Sequence, residues 1–545
     1  MSRPIAARPG RAPLRAPLST GLAGLVVLCG LVASCGNGSS PGSGESSATA
    51  ERPNILFVVW DTVRRDRIGL YGAERDTTPF LDGHAKDGLV FDDCRSVAPS
   101  TVPSHGSMFT GLFPAEHGAN HLNRWLPGGN ETLAELLQRA GYGTFLFSSN
   151  PNISAMENFG QGFETELHLW DDAFRDRAIE NMAGRLTAPD GSPVGGEGGR
   201  AQRVKDAAIA AYEIKGCGGL INEGFLGWID EQQAEAPEQP WFGFLNYMEA
   251  HYPLQPAAEY RERFLEGEAL AASYSMDRSE RRLWRHVFGA ERLSEPELEV
   301  MHAVYDAAMA ELDALFADLI GQLEARGALE NTLVVLVSDH GEHLGEHELF
   351  DHRYSLFDEL VRLPLVMWWP GRLEAGRTDK PVSNQDLFLT MLEAADVAPP
   401  PVLHDRLDDP AAGMSLLDPA ALPAERARFA SYLNDFGVLT SVLGPGDEPV
   451  DPRRFQRELD VLVHEDWKLT EAPGGLEPPR LIDLAGDPAE AQPAQDATAL
   501  AELGAQLAAW REALQAAPPS DKDGIDPREL ADQEARLGAI GYGDD

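Results

Sequence analysis

Two aspartates in this sequence each follow an apolar run. Asp61 closes Asn54-Ile55-Leu56-Phe57-Val58-Val59-Trp60, and Asp339 comes just after Leu333-Val334-Val335-Leu336-Val337, within Ser338-Asp339-His340-Gly341. An Asp-His pair at the C-terminal end of a buried strand is where open α/β sheets place ligands and metals. Alone, the second stretch reads equally well as a polar turn with a left-handed Gly. Two strand-end acids far apart in the chain can share one cation, so Asp61, Asp339 and His340 form a candidate hard-metal site. Carboxylate oxygens suit Ca²⁺, Mg²⁺ or Mn²⁺, while the imidazole pulls the preference towards Mn²⁺ or Zn²⁺. The residue types imply one divalent ion and leave its identity open.

Between the two acids lies Pro99-Ser100-Thr101-Val102-Pro103-Ser104-His105-Gly106, where small hydroxyl residues open a stretch that suits a helix ending at Gly111. Here the chain resembles the sulfatase family of the alkaline phosphatase-like superfamily. The resemblance runs in order through residues 54–72, 78–82, 101–118, 132–142, 247–253, 338–347, 362–371 and 466–492. It implies an α/β fold with a large, mostly parallel central sheet flanked by helices, and a smaller C-terminal α+β subdomain. The implied activity is hydrolysis of sulfate or phosphate esters.

The nucleophile motif departs from the family's. Thr101 occupies the position of the Cys or Ser that sulfatases oxidise to formylglycine, and His105 replaces the motif's Arg. Cys94 cannot substitute, because no Pro stands two positions on. No formylglycine is therefore expected. A Thr hydroxyl still serves as nucleophile, and as a fourth metal ligand, if a divalent ion lowers its pKa. A sulfated Thr lacks the aldehyde-forming escape route and must be cleared by water, whereas a metal-bound phosphothreonine is a workable intermediate. That shifts the expectation towards phosphate esters without excluding sulfate.

The resemblance assigns further roles. His251, in Glu249-Ala250-His251-Tyr252-Pro253, matches a position that contacts the transferred group or its leaving oxygen, where a protonated imidazole donates to the departing alkoxide; packing is its alternative role. His352 lies near the family's anion-binding Lys, and His105 and Arg353 are further candidates for holding the anion's oxygens. Thr62 stands where many members have a second Asp, Asn150 replaces a usual Lys, and Asn120 falls near the pocket. His343 and His347 are spaced i, i+4, but HLGEH is not HExxH, so a metalloprotease fails its own motif. The alternatives to ester hydrolysis are a phosphodiesterase or head-group phosphotransferase of the same superfamily, and a catalytically degenerate scaffold that binds anionic glycans.

These side chains need strands and helices to hold them. Strand-like runs at 55–60, 143–148, 241–247 and 333–337 alternate with helical stretches at 132–140 and 298–325, a pattern that favours a mostly parallel sheet. Residues 53–400 read as the catalytic domain. Past Pro399-Pro400-Pro401, shorter strand-like pieces at 461–464 and 467–470 belong to a C-terminal subdomain, 401–515, followed by a peripheral tail, 516–545. Residues 171–203 read as a surface loop or insertion, and 266–294 as a charged, partly helical one.

The chain begins with Arg3, Arg8, Arg11 and Arg15 and no acid, then an apolar core at 22–32 too short for an ordinary membrane-spanning helix. Leu31-Val32-Ala33-Ser34-Cys35 resembles a lipobox, so residues 1–35 read as a lipoprotein signal peptide with Cys35 lipidated. The Gly- and Ser-rich residues 36–52 read as a flexible linker. This implies an exported bacterial cell-envelope lipoprotein, in the periplasm or at the outer membrane, that meets the membrane only through its lipid anchor.

A formal charge of −42, from 45 basic and 87 acidic residues, argues against nucleic-acid binding. The same field repels an anionic ester, whether a sulfated or phosphorylated glycan, lipid or small molecule, so local cations must overcome it. A disulfide between Cys94 and Cys217 is left open, and spacing does not fix the oligomeric state.

Overall fold

The computed structural model describes residues 52–192, 194, 216–404, 413–433, 442–443, 447, 455, 458–473 and 477–522. Its strands in chain order are β1 (Asn54–Trp60), β2 (Leu89–Arg95), β3 (Gly143–Ser148), β4 (Thr165–His168), β5 (Trp241–Tyr247), β6 (Thr332–Ser338), β7 (His343–Leu344), β8 (Phe350–Asp351), β9 (Arg362–Trp368), β10 (Gly376–Thr378), β11 (Val382–Ser383), β12 (Arg428–Tyr432), β13 (Leu459–His464), β14 (Trp467–Glu471) and β15 (Arg480–Asp483). Nine of them form one sheet in the order β10-β2-β9-β6-β1-β5-β3-β4, with β11 also on β2. All its pairings are parallel except those of β9, which runs antiparallel to β2 and β6.

The apolar runs at 55–60, 143–148, 241–247 and 333–337 are thus neighbouring strands at the centre of the sheet. They lack polar alternation because both faces are covered, as parallel sheets require. Along β1, Leu56, Val58 and Trp60 face one core and Ile55, Phe57 and Val59 the other. The long helix Glu295–Ala325 covers the first face, entered through a capping box between Ser294 and Glu297 with Pro296 in its first turn. The helices Thr101–Thr110 and Asp386–Ala394 cover the second.

This layering settles the cysteines. Cys94 lies in the core on one face and Cys217 in the core on the other, and both are free thiols. The stretch 171–203 is not simply a surface loop: Arg175–Arg185 is a helix whose Ala178 and Met182 are buried in the core, and residues 193 and 195–203 lie outside the described residues. Within 266–294, helices Gly267–Ser275 and Glu280–Val287 form as the charge pattern suggested. Cys35 and the rest of 1–51 lie outside the described residues. Among the described residues no helix is long and apolar enough to cross a membrane.

Strands β12 to β15 make a separate antiparallel sheet. The helix Ala497–Ala513 packs on it through Leu503, Leu507 and Trp510. A buried ionic network ties this sheet to the large one. Lys468 on β14, fully buried, donates to Asp358 Oδ1 at 2.8 Å and Glu490 Oε1 at 2.7 Å, while Arg95 at the end of β2 grips the same Asp358 at 2.6 and 3.0 Å. Removing one member of a buried charge cluster leaves its partners uncompensated. Lys468→Met is therefore expected to lower unfolding free energy by roughly 3–5 kcal/mol, measured by denaturant titration; a loss below about 1 kcal/mol, the size of an exposed pair, would contradict this anchoring role.

Candidate metal and nucleophile site

Strands β1 and β6 lie side by side in parallel with Trp60 opposite Ser338. The next residues on each strand, Asp61 and Asp339, therefore leave the sheet together at its C-terminal edge. His340 follows, and the donor atoms of Asp61, Asp339 and His340 all lie within 4.8 Å of one another in a fully buried setting.

Each carboxylate has one oxygen held by the protein and one left over. Asp339 Oδ1 accepts from the Thr62 N–H at 3.1 Å and the His340 N–H at 2.8 Å. Asp61 Oδ2 accepts from Asn150 Nδ2 at 2.9 Å and, more distantly, from Asn246 Nδ2 at 3.5 Å. The remaining oxygens, Asp61 Oδ1 and Asp339 Oδ2, are buried with no hydrogen-bond partner. Burial pushes both carboxyls up to about 7, and for Asp61 the charge of Asp339 adds to the shift. Two orphaned carboxylate oxygens in a dry site fit a divalent cation as the compensating charge.

The third donor is pre-set in the same way. His340 Nδ1–H donates to the Gly341 carbonyl at 2.9 Å, which leaves the Nε2 lone pair facing the cluster. Burial lowers this imidazole to about 4, so it is neutral near neutral pH and its free nitrogen could accept a cation. Nε2 lies 3.3 Å from Asp339 Oδ2 and 3.3 Å from Thr101 Oγ1. Thr101 is the first residue of the Thr101–Thr110 helix, so its hydroxyl sits at the end where unpaired N–H groups favour an anion.

His251, which follows β5, and His352, which follows β8, complete the rim. The His352 ring lies 4.5 Å from that of His340 and 5.3 Å from that of His251. The β7–β8 hairpin folds His352 back to this position, where its Nδ1 is 3.0 Å from Asp351 Oδ1 and 3.5 Å from Glu342 Oε1. His251 Nδ1 donates to the Tyr252 carbonyl, which points Nε2 the other way.

His105 sits behind Thr101. Its Nδ1 lies 3.0 Å from the Thr101 carbonyl and 3.5 Å from Asp339 Oδ2, its Nε2 lies 3.5 Å from Asn246 Nδ2, and burial lowers it to about 3. A neutral imidazole in this position braces the turn. Asn150 spends its amide on Asp61, and Asn120 Oδ1 closes a local turn by accepting from the Leu122 and Asn123 N–H groups. Arg353 is drawn off towards Asp351 at 3.7 Å and the Trp284 ring at 5.5 Å. His343 and His347 share no helix: His343 bonds Ser355 Oγ at 2.7 Å and His347 stacks on Phe357 at 3.7 Å.

Three residues outside the sequence reading support the acids. Asn246, a polar residue inside the apolar strand β5, contacts Asp61. Tyr305, on the long helix, donates to the Thr62 carbonyl at 2.8 Å and accepts from the Arg64 N–H at 2.8 Å, while Ser338 Oγ accepts from the Val63 N–H at 3.0 Å. Thr62 itself has φ +59° and donates to the Asp61 carbonyl at 2.7 Å, so its side chain serves the turn. An isolated Asn in an otherwise apolar strand was the one signal that could have marked Asn246.

A mostly parallel, doubly covered sheet with acids, a histidine and a hydroxyl at its C-terminal edge defines an alkaline phosphatase-like fold. The chain belongs to the sulfatase family, whose model matches residues 53–397. It is similar to the uncharacterized sulfatase YidJ of Escherichia coli K12, at 27% identity over 446 residues, 76% of this chain and 84% of that one. It is similar also to an N-acetylglucosamine-6-O-sulfatase of Bacteroides thetaiotaomicron, at 26% identity over 415 residues, 64% of this chain and 69% of that one. Among solved structures it resembles the phosphonate monoester hydrolase of Silicibacter pomeroyi, with a TM-score of 0.62, 20% identity, and coverage of 85% of this chain and 96% of that one. As a member of this family it is a sulfatase-like hydrolase of sulfate or phosphate esters.

The raised carboxyls give cation binding a defined pH dependence. Burial penalises the charged form, so the penalty is absent below about pH 4, where folded and unfolded chains are both protonated. It grows as pH rises and is complete above about 7. A cation that binds the deprotonated pair offsets this penalty. Added Mn²⁺ should therefore raise the melting temperature more at about pH 8 than at about pH 5, and the difference should vanish in Asp61→Asn. An equal or larger shift at the acidic pH would contradict the assignment.

Proposed function

We propose that this protein hydrolyses an anionic sulfate or phosphate ester by attack of the unmodified Thr101 hydroxyl, with a divalent cation on Asp61, Asp339 and His340. The observation that carries the reading is the convergence of Thr101 Oγ1 and His340 Nε2, 3.3 Å apart, beside two buried carboxylate oxygens without partners. A divalent ion in this position supplies Lewis acidity and lowers the pKa of a nearby hydroxyl.

The chain's own residues supply the rest. With its proton given up to water, as a bound divalent ion would favour, Thr101 Oγ1 attacks sulfur or phosphorus, the bond to the ester's alcohol oxygen breaks and a covalent Thr ester forms, and the N–H groups at the start of its helix stabilise the oxygens of the transferred group. His251 protonates the departing alkoxide, and His352 lines the same rim, where the family's anion-binding Lys would stand. Water then cleaves the Thr ester. A sulfothreonine has no aldehyde-forming escape, so turnover depends on this hydrolytic step, and a phosphate ester suits it better. The relative named as an N-acetylglucosamine-6-O-sulfatase supports a substrate whose alcohol is a glycan. The export signal and Cys35 lipobox read from the sequence support action at the cell envelope.

Thr101→Ala is expected to lower kcat by roughly three orders of magnitude or more while leaving the melting curve in place. The assay is turnover of aryl sulfate, aryl phosphate and phosphodiester substrates by the full-length protein with Mn²⁺. Turnover by Thr101→Ala near the wild-type rate would sink the nucleophile assignment.

A further inference from the structure

We propose that Glu342, Asp351 and His352 form a second divalent-cation site beside the first, and that its ion restores the positive charge this pocket lacks. The role given to the ion rests on the ester-hydrolase reading above; the site itself does not. One donor atom from each of the three side chains lies within 4.8 Å of the others. Glu342 and His352 are only 2% and 9% exposed. Glu342 leads into β7, Asp351 ends β8 and His352 follows it, so the β7–β8 hairpin closes the set.

The geometry fits an ion better than a proton. His352 Nδ1 lies 3.0 Å from Asp351 Oδ1 and 3.5 Å from Glu342 Oε1. A single Nδ1–H points at one acceptor, whereas a cation between the three atoms draws on all of them at once. Bonds of about 2.0–2.2 Å at tetrahedral angles set neighbouring donors about 3.4 Å apart, and the two distances bracket that value. One imidazole with two carboxylates suits Zn²⁺ or Mn²⁺. An ion on Nδ1 also leaves Nε2 of His352 as an N–H donor on the opposite edge of the ring, the form that an anion at the rim requires. The hairpin is strained where it makes this set, with His347, Glu348, Asp351 and Tyr354 at φ of +53°, +62°, +69° and +67°, and strain of this kind collects at ligand clamps.

Charge gives an independent argument. Asp339 is raised first by burial and also by the charge of Glu342, and at His340, lowered first by burial and then by His352, the Glu342 charge pulls the other way. The His340 and His352 rings are 4.5 Å apart, so the two groups share one pocket. Its four carboxylates, Asp61, Asp339, Glu342 and Asp351, face Arg353, which lies 3.7 Å from Asp351, while His105 is neutral and Asn150 uncharged. With one divalent ion the acids still outweigh the cations by one charge. A second ion reverses the sign, and an anionic ester is then drawn in rather than repelled.

The test counts bound Zn²⁺ by equilibrium dialysis and elemental mass spectrometry on full-length protein first stripped with a chelator, with excess Mg²⁺ present to occupy surface carboxylates. Wild type is compared with Glu342→Gln, Asp351→Asn and Asp61→Asn, and melting curves confirm that each variant is folded; if one of the two hairpin-site variants fails to fold, the other decides. Wild type should hold two ions per chain, one for each group, and each variant one. Two ions retained in folded Glu342→Gln or Asp351→Asn overturn the second site. One ion in wild type that Asp61→Asn removes and Glu342→Gln keeps overturns it too, and leaves the hydrolase reading standing. One ion that Glu342→Gln removes and Asp61→Asn keeps supports the second site and sinks the metal assignment of that reading, and no bound ion in wild type overturns both.

Discussion

The site depends on one constraint: β1 and β6 run parallel in a register that sets Trp60 against Ser338. That register delivers two carboxylates to one dry point, where each is oriented by donors on one oxygen and orphaned on the other. A one-residue slip would turn every side chain of the strand to the opposite face, sending Val59 where Trp60 belongs and drawing Asp61 away from Asp339. The two cores on either face of the sheet therefore do more than stabilise the fold: they lock the register and with it the distance between the acids. Like charges confined this way are unfavourable without a cation, so the geometry fits one divalent ion.

Much of this was visible in the sequence, for physical reasons. Strands buried on both faces read as unbroken apolar runs, and an acid that ends such a run has few structural uses, so Asp61, Asp339 and His340 stood out; they meet in the fold together with Thr101, His251 and His352. What stayed hidden depends on neighbours that spacing does not disclose. Tyr305 lies in the middle of a long helix and meets the Asp61 turn only because that helix crosses the sheet there. Which face of the sheet each cysteine occupies is a tertiary fact, so a disulfide between Cys94 and Cys217 looked open until the layers were in place. Residues 171–203 looked like loop because only Ala178 and Met182 of the Arg175–Arg185 helix are buried, too few for a clear helical period.

The departures from the family pattern change how the anion is held. Where the resemblance places the family's Arg stands a neutral, buried His105, and Asn150, where it places a Lys, is turned onto Asp61. Both side chains instead contact the strand-end acids, His105 near Asp339 and Asn150 on Asp61. With a formal charge of −42 around it, an anionic ester would need the proposed cation, the helix N-terminus and the two rim histidines to draw it in. The small C-terminal sheet, anchored through Lys468 and Asp358, supplies one wall of the cleft that Ser100 lines.

In the proposed reaction Thr101, unmodified, carries the transferred group. The most direct measurement is peptide-mapping mass spectrometry of the full-length enzyme, before substrate and after acid quenching during turnover of an aryl sulfate and an aryl phosphate. An unmodified Thr101 is expected before substrate and a sulfo- or phospho-ester on Thr101 after quenching. An adduct on any other residue, or steady turnover with no adduct while the bound group is released in a single step, would contradict it.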